Sequence, residues 1–141
     1  MPDNPLHAYN HYSRRAASIV IREYSTSFSL ASCLLRGRVR HDICNLYAVV
    51  RIADEIVDGV AAAAGLDTNS IAAELDGFEQ QVFRATRTGF STNPAVHAFA
   101  STVHRCRISE EHIRAFFTSM RRDLDPTAYD QAALDDYIWG S

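Results

Sequence analysis

Four polar side chains recur at helical spacing in the middle of the chain. Tyr47, Arg51, Asp54 and Asp58 stand at i, i+4, i+7 and i+11, so a helix would project all four from one face. Glu55 lies about a hundred degrees away from that line. Two carboxylates one turn apart repel each other unless a cation lies between them. Mg²⁺ suits that position, since it takes one or two carboxylates together with waters and phosphate oxygens.

The same spacing also has an ordinary structural interpretation. Arg51 could pair with Asp54 or Glu55 on a solvated helix face, in ion pairs worth about a few tenths of a kcal/mol. Apolar residues flank the polar line on both sides, however, and no lysine stands in it. The functional interpretation is a diphosphate held through a metal ion, with the Arg51 guanidinium as a fork donor to the same phosphate.

Apolar residues recur at helical intervals along the chain, and no strand pattern does. Capping residues, glycines and prolines mark the ends of the segments, and a hydroxyl-rich stretch at 24–29 interrupts them. The predicted helices cover about 9–23, 41–64, 70–88, 94–106 and 109–124, with a last one from about 130 onward. The sequence therefore predicts an all-α fold in which the second of these helices carries the polar line.

Composition narrows the class of protein. Of the 141 residues, 47% are hydrophobic and 22% charged, the balance of a globular domain. A net charge of −3 gives no clustered basic face for nucleic acid. Three irregularly spaced cysteines favour a reducing compartment, and the start lacks the pattern of a secretory signal. We expect a cytoplasmic protein that at most touches a membrane from outside.

Four segments resemble the squalene/phytoene synthase family, in that family's order and at its separations. They are YSTSFSLA at 24–31, LYAVVRIADEIVD at 46–58, MRRDL at 120–124 and YIWG at 137–140. The combination of YAVxRxxDxxxD with an SxSF some twenty residues earlier is the most specific of these signals. The last two segments are closest to bacterial phytoene synthases.

The resemblance implies a helical bundle of the isoprenoid synthase type around a deep apolar cavity. Two aspartate-rich motifs on facing helices would hold Mg²⁺ ions and two prenyl diphosphates at its mouth. Carried over by position, Asp54 and Asp58 are the metal ligands of the first motif. Tyr47 and Arg51 contact diphosphate and act in catalysis.

Six further residues take substrate roles by the same resemblance. A flap over the diphosphate would be formed by Tyr24, Ser25, Thr26 and Ser27. The cavity wall beside the prenyl chain would include Phe28, and the tyrosine near the reacting carbons would be Tyr137. The ring or hydroxyl of Tyr137 could steady a cation or move a proton there.

The implied reaction joins two prenyl diphosphates head to head. One diphosphate ionises, stabilised by Mg²⁺ and Arg51, and the allyl cation attacks the second substrate to give a cyclopropylcarbinyl diphosphate. A second ionisation gives the linear product, with phytoene from geranylgeranyl diphosphate favoured. The alternatives are a squalene synthase, which would need NADPH, a dehydrosqualene synthase, another all-α prenyltransferase or terpene cyclase, and a non-catalytic helical module.

One departure from the family pattern sets the expected extent of the domain. The second aspartate-rich motif should follow the Tyr137 segment, and nothing after Asp58 has its form. The predicted last helix is also still running at Ser141. We therefore expect residues 1–141 to be the N-terminal part of one domain, without synthase activity alone.

Overall fold

The computed structural model describes residues 4–24 and 35–124. Within them, 86% of positions are helical and no strand occurs, which confirms the all-α prediction. The predicted helix after about residue 130 lies outside the described residues. The described helices are α1 (Pro5–Tyr24), α2 (Gly37–Asp58), α3 (Val60–Ala63), α4 (Thr68–Thr88), α5 (Pro94–Cys106) and α6 (Glu110–Leu124).

Caps and a glycine set several helix ends, of which those at Asn93 and Gly89 lie where the sequence predicts them and the start at Thr68 lies two residues before the predicted one. The Asp67 carboxylate accepts a hydrogen bond from the Ser70 backbone N–H at 2.8 Å and starts α4. The Asn93 side chain accepts from the Ala95 backbone N–H at 3.1 Å and starts α5. Gly89 ends α4 in the left-handed conformation, at φ 79°.

The helix that carries the polar line differs from its prediction at both ends. It begins at Gly37 rather than near residue 41, and it ends at Asp58 rather than continuing to residue 64. Gly59 leaves the helical conformation at φ −169° and ψ −64°, and the short helix α3 follows it. Glycine is among the weakest helix formers, because it loses the most backbone freedom. Asp58 is therefore the last residue of α2.

Helix α2 lies at the centre of the described fold and packs against α1, α3, α4, α5 and α6. Its inner face contributes Val49 and Ala53 to the main core, which α4, α5 and α6 complete. Leu46 and Val50, two of the apolar residues that flank the polar line, are exposed, so these flanking residues are only partly buried. The small residues Ala17, Ala48, Ala95 and Ala98 let α1, α2 and α5 approach closely.

A buried histidine joins α5 to α1. His97 is 3% exposed, and its Nε2 lies 2.7 Å from the Asn10 side-chain oxygen. Its Nδ1 accepts a hydrogen bond from the Ser91 backbone N–H at 3.2 Å. Nδ1 is therefore unprotonated, and Nε2 carries the proton donated to Asn10. The Tyr9 ring packs edge-on at 4.4 Å and closes the contact.

This contact predicts a loss of stability in mild acid. Desolvation lowers the pKa of His97 below the value of about 6.5 for an unfolded histidine. As the pH falls through that value the unfolded chain takes up a proton first, so the free energy of unfolding decreases, by at most about 1.4 kcal/mol per pH unit. Urea midpoints between about pH 7.5 and pH 5 measure this slope.

His97→Gln should flatten the slope while keeping a hydrogen-bonding side chain at the contact. Desolvation and nearby cations also lower the pKa of His41, so His41→Asn is the control that isolates that second contribution. An unchanged slope in His97→Gln would show that His97 is not a source of the acid sensitivity.

Candidate functional site

The Arg51 guanidinium is the hub of the polar groups on α2. Its Nη1 lies 3.3 Å from the Asp54 Oδ2, and its Nη2 donates to the Glu55 carboxylate. The Tyr24 ring, at the end of α1, lies 4.5 Å from the guanidinium carbon in a cation–π contact. Tyr47, one turn earlier on α2, interacts electrostatically with Arg51. The last two turns of α2 and the end of α1 therefore present one connected polar cluster.

Glu55 belongs to this cluster, although the sequence placed it off the polar line. The Arg51 side chain is long enough to reach one turn along and around the helix, so it bridges Asp54 and Glu55 together. Glu55 also lines the cavity beside the cluster. The structure therefore contains both ion pairs that the ordinary structural interpretation allowed for Arg51.

Asp54 and Asp58 form the acidic end of α2. Partial desolvation, the nearby Asp54 carboxyl and the negative charges of Asp123 and Glu55 raise the pKa of Asp58. Asp123 lies on α6, so two helices bring negative charge to this point. The C-terminal end of a helix already carries partial negative charge, and the last turn of α2 holds no basic residue. The arrangement is electrostatically unfavourable without a cation.

A cavity of about 550 Å³ opens beside the cluster. Tyr24, Arg51, Glu55 and Glu74 supply its polar groups. The rest of its wall is aliphatic and is formed by Val20, Ile52, Ile56, Val60, Ala61 and Leu66. Asp54 and Asp58 are not part of that wall, and Arg51 connects them to it through its contact with Asp54. The site thus combines an apolar space with a charged rim.

The structure places only part of the predicted site. Tyr24, Tyr47, Arg51, Asp54 and Asp58 lie together around the end of α2, and their roles toward metal and substrate stay predictions. The other predicted site residues, Ser25, Thr26, Ser27, Phe28 and Tyr137, lie outside the described residues. Sequence reasoning missed Glu74 and Leu66, which reach the cavity from beyond α2 and have no motif of their own.

The donor set fits Mg²⁺ as one half of a site. Two carboxylates one turn apart leave the remaining positions of an octahedral shell to waters and phosphate oxygens. Together with partial desolvation, negative charge from Asp54, Asp123 and Glu55 raises the pKa of Asp58, and a bound divalent cation would relieve this repulsion. Within the described residues, 4–24 and 35–124, no group of three or more His, Cys, Asp or Glu side chains is arranged to hold a metal ion.

Comparison with known proteins decides the family. The family model for squalene/phytoene synthases matches residues 21–141. The chain belongs to that family. The matched residues include all of α2 with its polar cluster. The all-α fold is the one expected of such synthases.

A curated relative is the bifunctional lycopene cyclase/phytoene synthase of Leptosphaeria maculans. It is 28% identical over 119 residues, which cover 79% of this chain and 20% of that protein. The chain thus spans about a fifth of the length of this relative. No solved structure matches the chain. In the part of the chain that the structure describes, no helix combines the length and apolar character needed to cross a bilayer.

Proposed function

We propose that this chain is the N-terminal part of the catalytic domain of a Mg²⁺-dependent, head-to-head prenyl diphosphate synthase. The observation that carries the proposal is the cluster of Arg51, Asp54 and Asp58 beside an aliphatic cavity, in a member of the squalene/phytoene synthase family. Below, "the complete synthase" means this chain together with a C-terminal part that supplies the second aspartate-rich motif.

The residues of the cluster divide the work on the substrate. Bound Mg²⁺ would neutralise charge on the departing diphosphate. Asp54 would turn from Arg51 to that ion, which frees the guanidinium to donate to diphosphate oxygens as a fork. Glu55 and the Tyr24 ring would keep the guanidinium oriented toward the cavity. Ile52 and Ile56 would shield the prenyl chain and exclude water from the carbocation.

Phytoene is the product we propose, from two molecules of geranylgeranyl diphosphate. The relative from Leptosphaeria maculans carries a phytoene synthase in its name, and the MRRDL and YIWG segments favour the same subfamily. Squalene and dehydrosqualene are the second choice, because both need the same head-to-head step on shorter substrates. A squalene synthase would also need NADPH to reduce its intermediate.

Product analysis tests the proposal. The complete synthase, incubated with Mg²⁺ and geranylgeranyl diphosphate, should release diphosphate and give a C40 hydrocarbon. Farnesyl diphosphate in a parallel incubation should give little C30 product, whether NADPH is present or absent. A longer prenyl diphosphate formed by head-to-tail elongation, or a cyclised single substrate, would contradict the proposal.

Residues 1–141 alone should have no synthase activity. They carry one aspartate-rich motif, so one side of the metal-bound diphosphate would have no carboxylate ligands. The measurement is the same product assay with the 141-residue chain, and the complete synthase is the positive control. A C40 or C30 hydrocarbon from the short chain would contradict the expectation.

Glu55→Gln should reduce the activity of the complete synthase modestly. Glutamine keeps an oxygen that accepts a hydrogen bond from Arg51 but loses the charge, and charge-assisted hydrogen bonds are about twice as strong as neutral ones. A loss of about 1 kcal/mol corresponds to roughly fivefold in kcat/KM. Steady-state kinetics measure it, with Asp54→Asn alongside. An equal loss in both variants would make Glu55 a metal ligand and overturn its positioning role.

A further inference from the structure

A second groove lies between α1 and the N-terminal half of α2. It has a volume of about 300 Å³, and its basic side chains are arginines and histidines, with no acidic side chain among them. No carboxylate belongs to the wall, which is formed by His11, Arg14, Arg15, Ser18, Arg40, His41 and Cys44. The chain as a whole has a net charge of −3, so this concentration of positive charge is local.

The cations are close enough to act on one another. Desolvation and the positive charges of Arg14, Arg40 and Arg105 together lower the pKa of His41. Asp42 is the one opposing charge, but its carboxylate accepts hydrogen bonds from Arg105 and, at 2.7 Å, from the Thr102 hydroxyl. Asp42 therefore offsets only part of the effect of these cations on His41.

Arg14 is half-buried and makes no ion pair among the described residues. Its side chain contributes to the wall of the groove. The other half-buried arginines on the described helices α2, α5 and α6 each have a carboxylate partner. Examples are Arg51 and Arg121. A guanidinium in a groove wall that lacks a carboxylate partner is suited to binding an anion from solution.

The start of α2 adds to the same field. Arg36 at the N-cap makes no side-chain cap, and no acidic residue occupies the first turn. The first backbone N–H groups of α2 have no partner within the helix, and the positive end of the helix dipole lies at the same end as Arg40 and His41. Arg40 and His41 follow within that first turn or just after it.

We propose that this groove binds a phosphate-bearing anion, as a free diphosphate-sized molecule or as the headgroup of an anionic phospholipid. Forked arginine donors match phosphate oxygens, and the volume suits one such group rather than a polymer. His41 and Asp54 are 13 positions apart on α2, about 20 Å along the helix, so the groove is separate from the acidic cluster. The proposal does not depend on the synthase activity.

Calorimetry on the 141-residue chain tests the site with inorganic diphosphate as the probe. EDTA is present throughout, which removes any binding that needs a divalent ion at Asp54 and Asp58. We expect saturable binding to one site, weakened at least about tenfold by Arg14→Gln. The matched control is Arg84→Gln, which removes the same charge from α4 outside this groove and should leave the affinity unchanged.

The pH dependence gives a second readout. Sulfate keeps its charge over this range, so its affinity should rise as the pH falls from about 7.5 to about 5.5, because a bound anion favours protonated His41. His41→Asn should reduce that rise, and the double variant His11→Asn/His41→Asn should remove it. Circular dichroism checks that each variant folds, and if Arg14→Gln does not, the exposed Arg15→Gln should still weaken binding.

Vesicles distinguish the two sources of phosphate. Saturable binding of diphosphate supports a free ligand. Binding only to vesicles that contain phosphatidylglycerol, lost in Arg14→Gln and absent with phosphatidylcholine alone, assigns the groove to a lipid headgroup. No binding to either probe, or an equal loss in Arg84→Gln, overturns the proposal.

Discussion

Replacing Asp54 or Asp58 with Asn in the complete synthase should lower turnover by at least about a hundredfold, or about 2.7 kcal/mol of activation barrier. Asparagine keeps the size and hydrogen bonding of the side chain but loses the charge that would bind Mg²⁺. Both carboxylates lie at the negative end of α2, and the half-exposed ion pair of Asp54 with Arg51 is worth only about a few tenths of a kcal/mol, so the fold depends little on either charge. Steady-state kinetics at saturating Mg²⁺ measure the effect.

The same substitutions should leave folding intact or slightly improved. Like charges one turn apart destabilise a helix by about 0.2–0.5 kcal/mol. The raised pKa of Asp58 points the same way, since a folded protein that holds its proton more tightly gains stability as the pH falls toward that pKa. Asp58→Asn should remove this gain, which thermal midpoints measured without metal between about pH 7 and pH 4 would reveal.

Asp76→Asn is the matched control for these variants. Asp76 also lies on a helix and pairs with a guanidinium, at 2.8 Å from Arg121, but it takes no part in the cavity. It should lose a little stability and keep full turnover. If Asp54→Asn unfolds the protein, or if Asp76→Asn loses as much turnover, the acidic end of α2 is structural.

Arg51→Gln should cost about 10²–10³-fold in kcat/KM, the usual effect of removing one donor to charge that develops in a transition state. The guanidinium is pre-oriented by Glu55 and by the Tyr24 ring, so it needs little reorganisation to meet a diphosphate. Arg51→Lys should recover only part of the loss, because an ammonium cannot donate as a fork.

Arg114→Gln provides an unusually close control for Arg51. Arg114 also stacks on an aromatic ring, Phe83 at 5.2 Å, and pairs one turn along its helix with Glu110 at 3.6 Å. It lies away from the cavity, so its loss removes the same kinds of contact without touching the site. Similar losses of activity in both variants would show that Arg51 acts through stability alone.

The sequence predicted the polar face of α2 because helical spacing alone determines which residues align. Spacing allowed Arg51 to pair with Asp54 or with Glu55, and the structure shows both contacts at once, because one guanidinium has two nitrogens that reach different carboxylates. Spacing could not predict the cavity, whose wall includes Leu66 and Glu74 from outside α2. The His97–Asn10 contact joins residues 87 positions apart and carries no local pattern.

Helix ends were predictable where a side chain or glycine fixes them locally, as at Asn93 and Gly89. The end of α2 was not, because a helix-forming alanine run follows Gly59 and favours continuation. That break has a functional consequence, since it makes Asp58 the terminal residue of the helix and adds the dipole to the charge on the carboxylates.

The most direct test of the central claim is a crystal structure of the complete synthase with Mn²⁺ and a non-ionisable thiolodiphosphate substrate analogue. Anomalous scattering would locate the metal independently of the protein. The account predicts a metal peak bound by the Asp54 and Asp58 carboxylates and by diphosphate oxygens, with the Arg51 guanidinium donating to the same diphosphate and the prenyl chain against Ile52 and Ile56. A diphosphate bound elsewhere, with no metal at Asp54 and Asp58 and Arg51 still paired to both of its acidic neighbours, would contradict it.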